Sequence, residues 1–172
     1  MKPENLKPLL LWLAQGFGVG RIPFAPGTFG SLVGLLWFVL LLATGSIWIY
    51  LAGCVAGFFI SVWLCGVAEK ILRQRDPGSV VMDEITAIPV CCLAWVFNEW
   101  HRRGTLPSPE VFFAHRQGWM LIAVVFALFR LFDIWKPWPV RQSQSLPGGW
   151  GVTVDDFLAA LYVALVTLPF LL

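Results

Sequence analysis

Between Arg21 and Glu69 the chain carries no charged residue. A soluble domain of ordinary composition is about one-quarter charged, so an uninterrupted stretch of this length is hard to place in water. It is long enough for two helices of about 20 residues each, which is what a bilayer crossing requires, and Thr44-Gly45-Ser46 supplies a turn between them. The rest of the composition agrees, with 58% hydrophobic residues, 13% charged residues and a mean hydropathy of +0.76. The sequence therefore predicts an all-α, polytopic membrane helical bundle, and 172 residues are one domain, 1–172, by length.

The remaining segments follow from their breakers. Lys70, Arg73, Arg75 and Asp76-Pro77-Gly78 end the second helix. The apolar run Ile85 to Phe97 is short for a crossing and contains Pro89, so it is expected to be kinked or partly buried. A polar connection is expected from Asn98 to Arg116, with Gly104, Pro107 and Pro109 as breakers. Trp119 to Phe129 then continues helically toward Trp135, until Pro137 and Pro139 stop it. After a loop rich in Gln, Ser and Gly, Asp155-Asp156 is expected to open a last helix from Phe157 to Leu172. The N-terminal apolar residues through Phe17 are too few to span and are expected to lie in the interface or to re-enter. They weakly imitate a secretion signal, but Glu4 and Gln15 argue against cleavage. The count is about five spanning or partly spanning helices plus a short interfacial one.

If each segment crosses, the stretches Arg21 to Ser31, Arg73 to Glu84 and Arg130 to Asp156 emerge on one face. That face holds Lys2, Lys7, Arg21, Lys70, Arg73, Arg75, Lys136 and Arg141, against Arg102, Arg103 and Arg116 on the other. The positive-inside rule makes it the cytoplasmic face.

A net charge of +2 with scattered bases gives no nucleic-acid footprint, so the expected partners are lipids and the bilayer. Cys54, Cys65, Cys91 and Cys92 lie in apolar segments without metal-type spacing and read as packing residues. His101 and His115 fall in the opposite connection and are assigned no chemistry.

The acids are gathered into pairs at the edges of apolar segments, Asp83-Glu84 and Asp155-Asp156, with Asp133 nearby. Charge at membrane depth is costly, which favours use over accident. For either pair alone, helix capping is a real alternative, because a helix N-terminus favours acids. Two pairs plus Asp133 on one face weaken it. Such a cluster suits a hard cation with oxygen ligands, and Mg²⁺ fits that description, held by Asp83, Glu84, Asp155 and Asp156.

Cations stand alongside. Arg130, three residues before Asp133, shares a helix face with it, and Lys136 and Arg141 follow. Upstream, Gly16 to Ser31 combines flexible glycines with Arg21, and Thr28 or Ser31 is expected to cap the next helix, an arrangement suited to an anion. Arg21, Thr28, Arg130, Lys136 and Arg141 are thus the candidate phosphate-binding residues, and Asp83, Asp133 and Asp156 the candidate catalytic ones.

The chemistry that fits is metal-assisted hydrolysis of a phosphomonoester, with attack by water or through a carboxylate nucleophile. Other phosphatase designs are absent: no Cys is followed six residues later by Arg, no Asp-x-Asp-x-Thr occurs, and no His sits in a Ser-Gly-His setting. A small transporter or channel subunit using the acids as a cation path is the rival, and it requires acids spread through the membrane depth.

Four motifs carry a resemblance: Gly18-x-Gly-Arg-x-Pro with Ala25-Pro-Gly-Thr-x-Gly-Ser31; Asp76-Pro-x-x-Val-Val-x-Asp83-Glu84; Phe129-Arg-x-Phe-Asp-x-x-Lys-Pro-Trp-Pro139; and Gly148-Gly-x-Gly-Val-x-x-Asp155-Asp156. In this order they resemble the phosphatidylglycerophosphatase A family of bacterial inner-membrane enzymes, over nearly the whole chain. The resemblance implies a Mg²⁺-dependent phosphatase of glycerophospholipid synthesis that dephosphorylates phosphatidylglycerophosphate to phosphatidylglycerol, with the acidic motifs as working residues. The chain departs from the usual pattern at Ala87 and Ala160, where glycine is common, and at Gln144-Ser145, where an acidic-basic pair is common.

Overall fold

The computed structural model describes residues 6–170, and every regular element among them is helical. Lys2, Glu4 and the last two residues of the expected final helix lie outside the described residues. Helix α1 (Lys7–Ala14) is followed by a 3₁₀ turn at Val19–Arg21, then α2 (Pro26–Leu42), α3 (Ile47–Leu72), α4 (Met82–Cys91) and α5 (Leu93–Arg103). Next come α6 (Pro109–Ala114), α7 (Arg116–Trp135), α8 (Val140–Ser143) and α9 (Gly149–Thr167), which runs into a 3₁₀ turn at Leu168–Phe170.

All five apolar segments are helical, but they differ in reach. Helices α3, α7 and α9 with its 3₁₀ extension are long and apolar enough to cross a bilayer, while α2 is a shorter apolar helix of 17 residues. The α4–α5 segment is broken at Cys92, one turn after the internal Pro89. Helix α4 is nearly all buried and packs against α2, α3 and α9, so its irregular end meets protein instead of lipid. There the Tyr50 hydroxyl donates to the Pro89 carbonyl at 2.7 Å. Small residues permit this central position: a Cβ on Gly30 would strike Val81, and one on Gly34 would strike Ile88 and the Ile85 carbonyl.

Several local expectations are corrected. The stretch 98–116 is not a plain connection. Helix α5 runs to Arg103, where Gly104 takes the left-handed conformation that suits a helix end, and Pro109 starts α6 in the first-turn position that proline tolerates. Neither Thr28 nor Ser31 caps α2. That helix begins at Pro26 behind Ala25, and the Ser31 hydroxyl instead donates to the Gly27 carbonyl inside the helix. Asp155 and Asp156 do not open the last helix, which starts at Gly149, so they sit almost two turns in. The α9 start can come early because Gly149 lies against the Val62 carbonyl and Gly66 of α3, a closeness that leaves no room for a side chain.

Helix α1 sits against the end of α3, burying Ala14 with Leu64, Cys65 and Ala68, while Leu9, Trp12 and Phe17 remain exposed. The chain after it doubles back, and the Val81 amide donates to the Ala14 carbonyl at 3.1 Å. One end of the bundle thus collects the start of α2, the end of α3, the start of α4, the end of α7 and the first turns of α9.

Candidate active site

Two helices deliver three of the acids. Asp83 and Glu84 occupy the first turn of α4, where neither caps the helix, and Asp156 comes from the second turn of α9. Each of the three offers a carboxylate oxygen, and these oxygens lie within 4.8 Å of one another. Asp83 and Asp156 are buried, and Asp83 Oδ1, Glu84 Oε2 and Asp156 Oδ2 have no hydrogen-bond partner. Like charges this close, removed from water and without donors, repel strongly unless a cation or protons stand between them.

The cations form a second row. Arg130 Nη1 is 2.9 Å from Asp133 Oδ2 and 4.0 Å from Glu84 Oε1, so it bridges the α7 acid and the cluster. Lys136 Nζ reaches Asp155 Oδ2 at 2.6 Å and Asp133 Oδ1 at 3.8 Å. Its left-handed backbone (φ +49°) ends α7 and turns the chain toward α8. Burial disfavours the Lys136 ammonium, but the hydrogen bond and charge of Asp155 outweigh it, and the pKa lies above the ordinary lysine value.

Asp155 is set apart from the trio. Its Oδ2 accepts from Lys136 and from Gln144 Nε2 at 3.0 Å, while Gln144 gives its backbone carbonyl to Arg75. Sequence reasoning noted Gln144 only as a departure from a pattern; here it supplies a donor to Asp155. Gly27 was also passed over. A Cβ there would collide with Glu84 Oε1 and crowd Arg130 Nη1, so the start of α2 closes directly over the carboxylate. A glycine one residue after a helix-opening proline was the available signal.

The other candidates are less central. Arg21 is exposed, and its Nε donates to Gln15 Oε1 at 2.8 Å. Thr28 is half-buried in the first turn of α2, one residue after Gly27. Arg141, on α8, is exposed and makes no hydrogen bond or ion pair among the described residues. Ala87 and Ala160 are fully buried in the helix packing. His115 lines a cavity of about 340 Å³ with Glu99, Arg102 and Arg103 at the other end of the bundle.

The sequence profile of the family described as phosphatidylglycerophosphatase A matches residues 12–171. The chain belongs to the phosphatidylglycerophosphatase A family. It is 36% identical to phosphatidylglycerophosphatase A of Haemophilus influenzae, over 96% of this chain and 90% of that one. It is 32% identical to phosphatidylglycerophosphatase A of Escherichia coli, over 88% and 77%. A Bacteroides thetaiotaomicron protein named provisionally as a phosphatidylinositol-3-phosphatase is 36% identical, over 94% and 92%. No solved structure matches. Family membership makes the chain a phosphatase of phospholipid type, and its apolar helices make it a membrane protein.

Proposed function

We propose that this phosphatase hydrolyses the terminal phosphomonoester of phosphatidylglycerophosphate, releasing phosphatidylglycerol and phosphate, at the cytoplasmic face of the bacterial inner membrane. The carrying observation is the trio Asp83, Glu84 and Asp156, with three unpartnered buried oxygens beside the Arg130 guanidinium.

An all-oxygen, anionic donor set of this kind fits Mg²⁺, which takes few carboxylates and keeps waters for the remaining positions. Asp83, Glu84 and Asp156 would hold it, with Asp155 engaged by Lys136 and Gln144 instead. When bound, the ion lowers the pKa of a water and draws charge from the phosphoryl oxygens.

The chain's own groups then have separable tasks. Arg130 is placed to meet the non-bridging phosphoryl oxygens, whose charge is spread in the transition state. Asp133 holds Arg130 and Lys136 from one side, fixing both cations before substrate arrives. Asp83 or Asp156, whichever carboxylate oxygen is left free, takes the proton of the attacking water. The water oxygen bonds to phosphorus, the bond from phosphorus to the headgroup oxygen breaks, and the proton taken up by the carboxylate passes to that leaving oxygen. Thr28, in the first turn of α2, would donate to the phosphate, and Arg141 on α8 would add positive charge.

The cytoplasmic assignment is supported by the bases grouped at this end, among them Lys70, Arg73, Arg75, Lys136 and Arg141. The grouping of the acids at one end also disfavours a cation path, which needs charge along the depth. A second reading, hydrolysis of phosphatidylinositol 3-phosphate, is favoured by the name of the Bacteroides relative.

The test is phosphate release by detergent-purified protein from phosphatidylglycerophosphate, phosphatidylinositol 3-phosphate and phosphatidic acid, with Mg²⁺ and with excess chelator. Mg²⁺-dependent release, fastest from phosphatidylglycerophosphate, is expected. Faster release from the inositol lipid would transfer the assignment to that substrate, and no release from any lipid by folded protein would revive the transport reading.

A further inference from the structure

Two of the cations at this end of the bundle are committed to the acids, Arg130 to Asp133 and Glu84, and Lys136 to Asp155 and Asp133. Arg21 is not. Among the described residues it has no carboxylate partner, and its one side-chain hydrogen bond is from Nε to Gln15 Oε1 at 2.8 Å.

Gln15 is an unusual residue on which to rest an exposed arginine. It is only 6% exposed, at the end of an apolar helix, where a polar side chain is costly unless every group is used. Its groups are used. Its Nε2 donates to Ser79 Oγ at 3.2 Å, and its backbone carbonyl accepts from the Gly18 and Gly20 amides at 3.1 and 2.9 Å. Gly20 presses on the Ser79 carbonyl so closely that no side chain could stand there. Ser79 lies four residues before Asp83, so the same contact ties the Arg21 turn to the segment that enters the acid cluster.

The outcome is a guanidinium fixed through Nε, with both terminal amino groups unpartnered among the described residues. Such a fork is pre-organised for an anion that presents two oxygens, and holding it in advance removes part of the ordering cost of binding. The lipids in the relatives' names, phosphatidylglycerophosphate and phosphatidylinositol 3-phosphate, share one chemical pattern, a phosphodiester next to the diacylglycerol and a phosphomonoester farther out.

Granted the lipid phosphatase function proposed above, we infer that Arg21 is a specificity-determining residue that grips the internal phosphodiester, and that Gln15 is the positioning residue that aims it. The acid cluster with Arg130 and Lys136 handles the outer monoester. A lipid with one phosphate, such as phosphatidic acid, can satisfy one of these positions but not both.

The test uses ligands that each carry one half of the pattern. Detergent-purified wild type, R21Q and Q15L are titrated in Mg²⁺ buffer with a short-chain phosphatidylglycerol, which has only the diester, and with inorganic phosphate, which stands for the monoester. Binding is read from the shift in unfolding temperature. R21Q and Q15L are expected to need about tenfold more phosphatidylglycerol for the same shift, the range for losing a charge-assisted hydrogen-bonding site, and an unchanged phosphate concentration. R21Q alters an exposed side chain, so it remains informative if Q15L does not fold.

An unchanged phosphatidylglycerol response in R21Q, an equal loss for both ligands, or no response of wild type to phosphatidylglycerol would each overturn the assignment. Wild-type turnover is measured on the same preparation. Its absence would count against the phosphatase function, while the binding titration would still decide the role of Arg21.

Discussion

Lys136 Nζ lies 2.6 Å from Asp155 Oδ2, and this ion pair fastens the end of α7 to the second turn of α9. Asp155 is buried, and among the described residues only Gln144 shares the task of satisfying that oxygen. The pair therefore fixes how far the Arg130-bearing helix stands from the helix that carries Asp156.

Lys136→Met is expected to lower stability by about 2 kcal/mol, less than for a fully buried pair because the lysine keeps some contact with solvent. The pKa of Lys136 is raised in the folded protein, so its contribution is fully present below the unfolded lysine value of 10.5 and fades only as pH rises through the folded value. Unfolding temperatures of wild type and variant should differ by a constant amount from pH 7 to 9 and converge only in stronger alkali. Convergence already near pH 8 would contradict the pairing.

The acid trio makes a sharper demand. Asp83→Asn and Asp156→Asn should each reduce turnover by at least about 10²-fold, the usual effect of removing one essential electrostatic group, with membrane insertion near normal. Mn²⁺ binding followed by electron paramagnetic resonance should weaken in both. Asp155→Asn should retain Mn²⁺ affinity better than either, because Asp155 stands outside the trio and its Oδ2 is occupied by Lys136 and Gln144. Retained turnover in both members of the trio would remove the metal assignment.

Gly27 offers a purely steric probe. Gly27→Ala adds a methyl group where Glu84 Oε1 and Arg130 Nη1 already sit, and overpacking of this kind costs about 1–3 kcal/mol. Turnover should fall more than the loss of stability explains, since the added carbon displaces a carboxylate of the trio. Gly78→Ala, where a Cβ meets open space, is the control, and its activity and unfolding temperature should match wild type.

His115 lines a cavity at the opposite end of the bundle, remote from the acids. His115→Ala should leave phosphate release within twofold of wild type across pH 6 to 8. A dead variant in folded form would place the working face at the wrong end.

Much of this architecture was legible in the chain because lipid leaves few choices. The charge-free run from Arg21 to Glu69 could only become paired helices, and the turn at Thr44-Gly45-Ser46 fell where flexible and capping residues allow it. That Asp83, Glu84 and Asp156 would be gathered together was legible too, since acids at the margins of apolar segments are costly and therefore conspicuous. Boundaries were less so. Asp155-Asp156 looked like a helix start because acids favour that position, yet the close fit of Gly149 against α3 began α9 earlier. That is a tertiary contact no local propensity contains.

The division of labour among the acids also lay beyond the sequence. Adjacent residues on a helix point about 100° apart, so Asp155 and Asp156 had to face different neighbours, but which would meet Asp83 and Glu84 depended on the rotation of α9. Packing against α3 and α4 turned Asp156 into the trio and Asp155 toward Lys136 and Gln144. Likewise, Gln15 gave no sign of holding Arg21, because the Ser79 contact that buries it joins residues 64 positions apart. By itself the sequence determined that these charges would gather at one end of an apolar helical bundle, because hydrocarbon excludes them from the rest. Only the tertiary structure decided which carboxylate lost its partners and which cation kept its donors free, because those depend on helix rotation and close approach.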